Sequence, residues 1–140
     1  MLSSHILVVE DDEHDLSFTM LALKRCSVSD SNIRVARDGE EALNLLKQYK
    51  ISKPNLILLD LKLPKIDGFT VLKKIRMTPA LEQVPVIIVS GSVLEADRVR
   101  ALILGANNYV VKNMDFSEFA KTLCLALLPY AANLITNTSL

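Results

Sequence analysis

Five short, mostly apolar runs, separated by helical patterns, restrict this chain to a small set of folds. They occupy residues 6–9, 33–36, 56–59, 86–89 and 109–111. Three of them are continuous stretches of Val, Ile and Leu, which is typical of strands buried on both faces. Five βα units in series predict a parallel sheet with helices on both faces and right-handed crossovers. In such sheets the working site lies at the carboxyl ends of the strands.

The helical patterns between the runs carry start and stop signals. Asp38 with Glu41, and Asp115 with Glu118, resemble capping boxes. Gly105 suits a helix stop, and Pro129 is expected to end or bend the last helix. The predicted apolar faces of the five helices are Leu16, Met20 and Leu23; Ala42, Leu45, Leu46 and Tyr49; Val71, Leu72 and Ile75; Val99, Leu102 and Ile103; and Phe116, Phe119, Leu123 and Leu127.

Composition excludes several classes of function. The chain has 140 residues, half of them hydrophobic, and 16 basic residues balance 16 acidic ones. This balance gives no general attraction to nucleic acid or to an anionic membrane. No signal peptide or membrane-spanning run is recognisable, so a cytoplasmic location is expected.

The cysteines and histidines offer no recognisable site. Cys26 and Cys124 are far apart and fit no metal-ligand spacing, so two reduced thiols are expected. His5 and His14 are expected to be solvated, and neither suggests a catalytic base.

Reactive side chains follow four of the five runs. The first run is followed by Glu10 and Asp11, the third by Asp60, the fourth by Ser90 and the fifth by Lys112. Clustered carboxylates repel one another unless a cation joins them, and Mg²⁺ is the usual choice beside a phosphoryl group. A lysine suits phosphoryl oxygens, and a carboxylate can act as the nucleophile. The set therefore predicts phosphoryl transfer to a carboxylate.

Several fragments in order resemble the response-regulator receiver family. They are residues 8–11, residues 58–60, Pro64 with Asp67 and Gly68, residues 89–91, and Gly105-Ala106 leading to residues 109–112. The resemblance covers about residues 5–128. It implies a flavodoxin-like, doubly wound sheet of five parallel strands in the order 2-1-3-4-5, with five helices. Residues 1–128 would form the receiver domain, and 129–140 would extend the last helix as a tail.

The resemblance also assigns roles at the site. Asp60 matches the phosphoacceptor and Lys112 the family's lysine. Glu10 and Asp11 match the acidic pair that holds Mg²⁺, which Asp60 shares. Lys62 matches the position whose backbone carbonyl is a further metal ligand.

A switch is implied by two more matches. Ser90 matches the switch hydroxyl, and Tyr109 matches the switch aromatic. Phosphorylation is expected to alter the face formed by the fourth helix, fifth strand and fifth helix. A homodimer through this face is expected, with help from the apolar tail residues Leu134 and Ile135.

The chain departs from the family pattern at Asn113, where proline usually follows the lysine. A cis bond before a residue other than proline costs about 3 kcal/mol. We therefore expect a trans Lys112–Asn113 bond.

The function implied is that of a single-domain response regulator, phosphorylated by a histidine kinase and acting on a downstream protein partner. Residues 78–81, 84–86 and 105–107 are similar to receivers that serve bacterial phytochromes. Three alternatives remain: a flavodoxin-like cofactor binder, a receiver-like module not switched by phosphorylation, and, more distantly, a metal-dependent phosphohydrolase. The acidic stretch 10–13 argues against a phosphate-binding loop, and nothing supplies a separate base for a hydrolase.

Overall fold

The computed structural model describes residues 4–48, 53–112 and 115–135. Its five strands are all parallel and lie in the order β2-β1-β3-β4-β5, which confirms the predicted flavodoxin-like sheet. The strands are β1 (Ile6–Val9), β2 (Ile33–Ala36), β3 (Leu56–Leu59), β4 (Val86–Ser90) and β5 (Asn108–Val111). The helices are α1 (Glu13–Arg25), α2 (Gly39–Gln48), α3 (Gly68–Met77), α4 (Glu95–Ile103) and α5 (Phe116–Ala131).

Aspartate side chains begin four of the five helices. Asp12, Asp67 and Asp115 are the N-caps of α1, α3 and α5, and each accepts a hydrogen bond from a backbone N–H of the first turn. Asp38 does the same for α2, because its Oδ1 accepts from the N–H of Glu41 at 2.7 Å. The two predicted capping starts are therefore confirmed.

Alternate residues of the central strands enter two separate cores. Ile6 and Val8 face one side of the sheet, where α1 and α5 pack, whereas Leu7 and Val9 face the side covered by α2, α3 and α4. All four residues are at most 2% exposed, as expected for a strand buried on both faces.

The predicted apolar face of α4 points outward. Val99, Leu102 and Ile103 are 42%, 37% and 79% exposed, and Ala101 is the residue that α4 buries. Helical spacing identifies an apolar stripe but not the surface that it contacts. Here a single small residue is enough for close packing, and the stripe is left at the surface.

The two cysteines form a disulfide, contrary to the predicted reduced thiols. Cys26 caps the end of α1 and Cys124 lies on α5, with their Cα atoms 5.4 Å apart. Both helices pack on the same face of the sheet, so residues separated by 98 positions meet within bridging distance.

The prediction of a solvated His5 is also wrong. His5 is 2% exposed, and its main chain exchanges hydrogen bonds with Asn55, at 3.1 Å and 2.8 Å. It directly precedes the central strand β1, and Asn55 directly precedes the neighbouring strand β3. The contact between the two strands therefore continues to His5. His14 is exposed, as expected.

The last helix continues beyond Pro129 to Ala131. Proline removes one intrahelical hydrogen bond, and the carbonyl left without it belongs to Leu125, a residue that is 61% exposed to water. A 3₁₀ turn then buries Leu134, and Ile135 packs against the same core. Leu134 is therefore part of the monomer core, not of a dimer surface.

Arg76, near the end of α3, ties this helix to the two connections that lead into β4 and β5. Its guanidinium donates to the carbonyls of Gly105, Val84 and Glu82 at 2.9, 2.8 and 3.2 Å, and to Asn107 Oδ1 at 3.0 Å. Gly105 has φ +107°, and a Cβ there would lie 2.9 Å from Arg76 Nε. Glycine is thus required both by the backbone and by the arginine beside it.

Within residues 4–48, 53–112 and 115–135, we find no helix with the length and apolar character needed to cross a membrane.

Candidate functional site

The strand ends bring the predicted residues to one edge of the sheet. Val9 and Leu59 are register partners, so Glu10 and Asp60 leave the sheet side by side. The Asp60 N–H donates to the Val9 carbonyl at 3.2 Å. On the next strand pair, the Lys112 N–H donates to the Ser90 carbonyl at 2.8 Å. Main-chain bonds therefore fix where these side chains begin.

The ammonium group of Lys112 lies at the centre of the site. Its Nζ donates to Glu10 Oε1 at 2.6 Å, to Asp15 Oδ2 at 2.9 Å and to Asp60 Oδ2 at 3.1 Å. The side chains of Lys112, Glu10 and Asp60 are only 10%, 3% and 8% exposed, whereas that of Asp15 is 47% exposed. One buried cation thus joins three carboxylates.

Burial and charge shift the protonation of this cluster. Burial raises the pKa of Glu10 to about 7, against the hydrogen bond from Lys112, and the Asp60 charge adds to the rise. Burial opposes charging of Lys112, but the hydrogen bond to Glu10, the charge of Asp60 and the hydrogen bond to Asp15 outweigh it, so the pKa of Lys112 rises. The lysine therefore stays protonated and holds the carboxylates together.

An open cavity of about 330 Å³ gives access to the cluster. Asp11 and Lys62, both predicted from the sequence, line this cavity together with Glu10, Asp60 and Lys112. Lys62 itself is exposed, and its N–H donates to Asp60 Oδ1 at 3.3 Å.

Asp15 was not predicted as a site residue. It lies in the first turn of α1, and that turn flanks the site because α1 begins directly after the end of β1. Its N–H donates to Asp12 Oδ1 at 2.9 Å, which fixes the turn. The sequence did contain a signal for Asp15: it is an acidic residue in the first turn of the helix that follows Glu10 and Asp11.

Ser90 and Tyr109 meet at the loop between β4 and α4. Ser90 is 1% exposed, and its Oγ accepts from the Ser92 N–H at 3.1 Å. Tyr109 is half-buried, and its hydroxyl donates a hydrogen bond to the Ser92 carbonyl. Both predicted switch residues therefore contact the same loop residue.

The start of α3 presses against the main chain of Asp60. The Gly68 N–H donates to the Leu61 carbonyl at 2.9 Å. A Cβ on Gly68 would lie 2.2 Å from the Asp60 carbonyl oxygen, closer than any real contact. Glycine is needed here to let helix and strand approach.

The donor set is chemically suited to a divalent cation. Carboxylate oxygens of Glu10, Asp15 and Asp60 lie within 4.8 Å of one another, and Asp11 lines the same cavity. Hard oxygen ligands of this kind are those that Mg²⁺ and Mn²⁺ take in proteins.

Residues 6–123 match the family model of the response regulator receiver domain. This chain is a member of the response-regulator receiver family. Receiver domains interact with histidine kinases and act as phosphoacceptors. The resemblance predicted from the sequence motifs is thus confirmed.

Similar receivers come from cyanobacteria. The response regulator Rcp1 of Synechocystis is 38% identical over 120 residues, which cover 83% of this chain and 81% of Rcp1. The structure of the phosphorylated cyanobacterial phytochrome response regulator RcpA is 32% identical with a TM-score of 0.80, covering 94% of this chain and 96% of RcpA. The Mn²⁺-bound structure of Rcp1 has a TM-score of 0.79 at 30% identity, covering 98% of this chain and all of Rcp1.

Proposed function

We propose that this receiver is a phosphorylation switch in which the Asp60 carboxylate accepts a phosphoryl group from a phosphohistidine of a sensor kinase. The observation that supports this most is the position of the Asp60 carboxylate. It is almost buried, it lies at the edge of an open cavity, and it already accepts a hydrogen bond from the Lys112 ammonium.

The transfer needs little more than positioning and charge neutralisation. An Asp60 oxygen forms the new bond to phosphorus while the phosphorus–nitrogen bond of the donor breaks, and the imidazole keeps that electron pair. Lys112 donates to the phosphoryl oxygens as they arrive, and the Ser90 hydroxyl donates a further hydrogen bond. The same residues would support later hydrolysis of the acyl phosphate, so the chain would catalyse both its own phosphorylation and its own dephosphorylation.

The metal in this proposal is Mg²⁺, held by Glu10, Asp11, Asp60 and the backbone carbonyl of Lys62. When bound, it neutralises part of the negative charge of the phosphoryl group. The presence of Mn²⁺ in the Rcp1 structure supports a divalent cation at sites of this family.

The proposed donor is a histidine kinase of the phytochrome type, since RcpA is described as a phytochrome response regulator. Faster transfer from a phytochrome-type kinase than from an unrelated histidine kinase would support the donor class, and equal rates would contradict it.

Output would pass to a downstream protein, with a homodimer through α4, β5 and α5 as part of the switch. The proposed receiver domain spans residues 1–128, and 129–140 extend it.

Intact-mass measurement tests the central proposal. With Mg²⁺ and acetyl phosphate, the wild-type chain should gain one phosphoryl group, and Asp60→Asn should gain none. Asp38→Asn is the matched control, because Asp38 loses the same charge at a helix start outside the cavity. An adduct on Asp60→Asn contradicts the assignment. No adduct on the wild type would favour an interaction module that phosphorylation does not switch.

A further inference from the structure

The hydrogen bonds of Lys112 account for all the donors that its ammonium group has. An ammonium group offers three N–H donors, and Glu10, Asp15 and Asp60 each accept one. The acceptor on Asp60 belongs to the proposed phosphoacceptor, and the acceptors on Glu10 and Asp15 hold the other two N–H groups. The direction of the third N–H therefore depends on the other two bonds.

The three bonds differ in what phosphorylation would do to them. Once Asp60 carries a phosphoryl group, the lysine N–H that faced the carboxylate faces a phosphoryl oxygen. Glu10 and Asp15 carry no phosphoryl group and keep their places. Glu10 is buried at the end of β1, and the main chain of Asp15 is fixed by its bond to Asp12.

Asp15 approaches Lys112 from a different element than the other two acceptors do. Glu10 and Asp60 follow adjacent strands, whereas Asp15 lies on α1, so the ammonium is held from the helix as well as from the sheet. A single anchor would leave a long lysine side chain free to rotate about it. A second anchor from another direction restricts that rotation.

We propose that Asp15 is a positioning residue that, together with Glu10, directs the third N–H of Lys112 toward the phosphoryl group on Asp60. This inference rests on the proposed function and adds a residue to it. Asp15 acts through Lys112 and does not touch the phosphoryl group. Its removal leaves the lysine charged but poorly aimed, so the rate of transfer falls while the metal ligands remain.

The test compares Asp15→Ala with Glu13→Ala in the full chain. Glu13 lies in the same first turn, bears the same charge and has a side chain that is 73% exposed, but its partner is Arg37 rather than Lys112. Phosphorylation by acetyl phosphate is measured at saturating Mg²⁺ and donor, and Mg²⁺ affinity is measured separately by calorimetry. Thermal unfolding is used to check that both variants are folded.

We expect the maximal phosphorylation rate of Asp15→Ala to fall about tenfold. A misplacement of about 1 Å can cost about a hundredfold in rate, but Glu10 still holds the lysine in this variant, so the loss should be smaller. Its Mg²⁺ affinity should fall by no more than about tenfold, because only one partly exposed charge, screened by water and salt, is lost. Glu13→Ala should behave as the wild type does. These three results together support the positioning role.

Three results would overturn it. An unchanged maximal rate in Asp15→Ala removes the role of Asp15. Loss of Mg²⁺ binding in parallel with the rate makes Asp15 a metal ligand instead. An equal fall in Glu13→Ala assigns the effect to the charge of the first turn. A wild-type chain that gains no phosphoryl group defeats the proposed function itself, and that result is visible before any variant is compared.

Discussion

The hydroxyl group of Tyr109 donates a hydrogen bond to the main-chain carbonyl of Ser92, 3.0 Å away. The other groups of Ser92 are also engaged: its N–H donates to Ser90 Oγ, and its own hydroxyl donates to Asp97 Oδ2 at 2.6 Å. Asp97 lies in the first turn of α4. A displacement of Ser90 toward a phosphoryl group would therefore pull on a residue that contacts both β5 and α4.

The first prediction concerns that contact. Tyr109→Phe removes the hydroxyl and keeps the ring, so phosphorylation should proceed at the wild-type rate. The change in amide hydrogen exchange across residues 92–98 on adding acetyl phosphate and Mg²⁺ should become smaller. Tyr130→Phe, on α5, is the control. A response like that of the wild type in Tyr109→Phe would show that the hydroxyl takes no part in the switch.

The second prediction concerns the close approach of α3 to Asp60. Gly68→Ala should lower the free energy of unfolding by about 1–3 kcal/mol, because the added Cβ meets backbone atoms that cannot move aside. Gly91→Ala is the matched control, since a Cβ there has no atom within 4 Å. Urea denaturation measures both. Equal stability of the two variants would contradict the steric reason.

The third prediction concerns the proposed metal ligand Asp11. Asp11→Ala should bind Mg²⁺ much more weakly and should lose phosphorylation, because the cation loses a carboxylate at an already small donor set. Calorimetry and intact-mass measurement follow the two effects, with Glu13→Ala as control. A normal phosphorylation rate of Asp11→Ala at limiting Mg²⁺ would rule out the metal role.

The fourth prediction concerns the exposed apolar stripe on α4. Ile103→Asp should keep the phosphorylated chain monomeric, because a charge replaces an apolar side chain that is 79% exposed on the proposed dimer face. Leu21→Asp, on α1, should leave the dimer intact. Sedimentation with and without acetyl phosphate provides the measurement. A wild type that stays monomeric when phosphorylated would remove the dimer from the proposal.

The fifth prediction concerns the disulfide between Cys26 and Cys124. Dithiothreitol should lower the free energy of unfolding by up to about 5 kcal/mol, the chain-entropy value for a loop of about 100 residues. The double variant Cys26→Ser with Cys124→Ser should unfold alike in both conditions. A wild-type chain indifferent to the reductant would show that the bond is not formed in solution.

Much of the site followed from the strand pattern alone. Each apolar run predicted a strand. It also predicted where the residue after that strand lies, because the carboxyl ends of parallel strands meet at one edge of the sheet. Glu10, Asp60 and Lys112 are brought together by that rule. Asp15 was missed, because which side chain of a first helical turn reaches the site depends on how the helix is rotated on the sheet.

The other errors share one cause, which is contact between distant parts of the chain. The pairing of Cys26 with Cys124 depends on the packing of α1 against α5. The outward face of α4 and the burial of Leu134 depend likewise on tertiary packing and not on local periodicity. Asn113 lies outside the described residues, so the trans Lys112–Asn113 bond stays a prediction.

The guanidinium of Arg76 gives α4 one fixed end. Gly105, just beyond that helix, is held by Arg76 through neutral carbonyl acceptors, which neither salt nor mild pH change disrupts. At the opposite end, Leu94 supplies no side-chain cap, and Ser92 supplies the ties instead. Arg76 therefore holds the carboxyl end of α4, at the opposite edge of the sheet from the proposed phosphoacceptor Asp60. In the proposed switch, a small displacement at Ser92 would move the amino end of α4 and leave the turn into β5 in place.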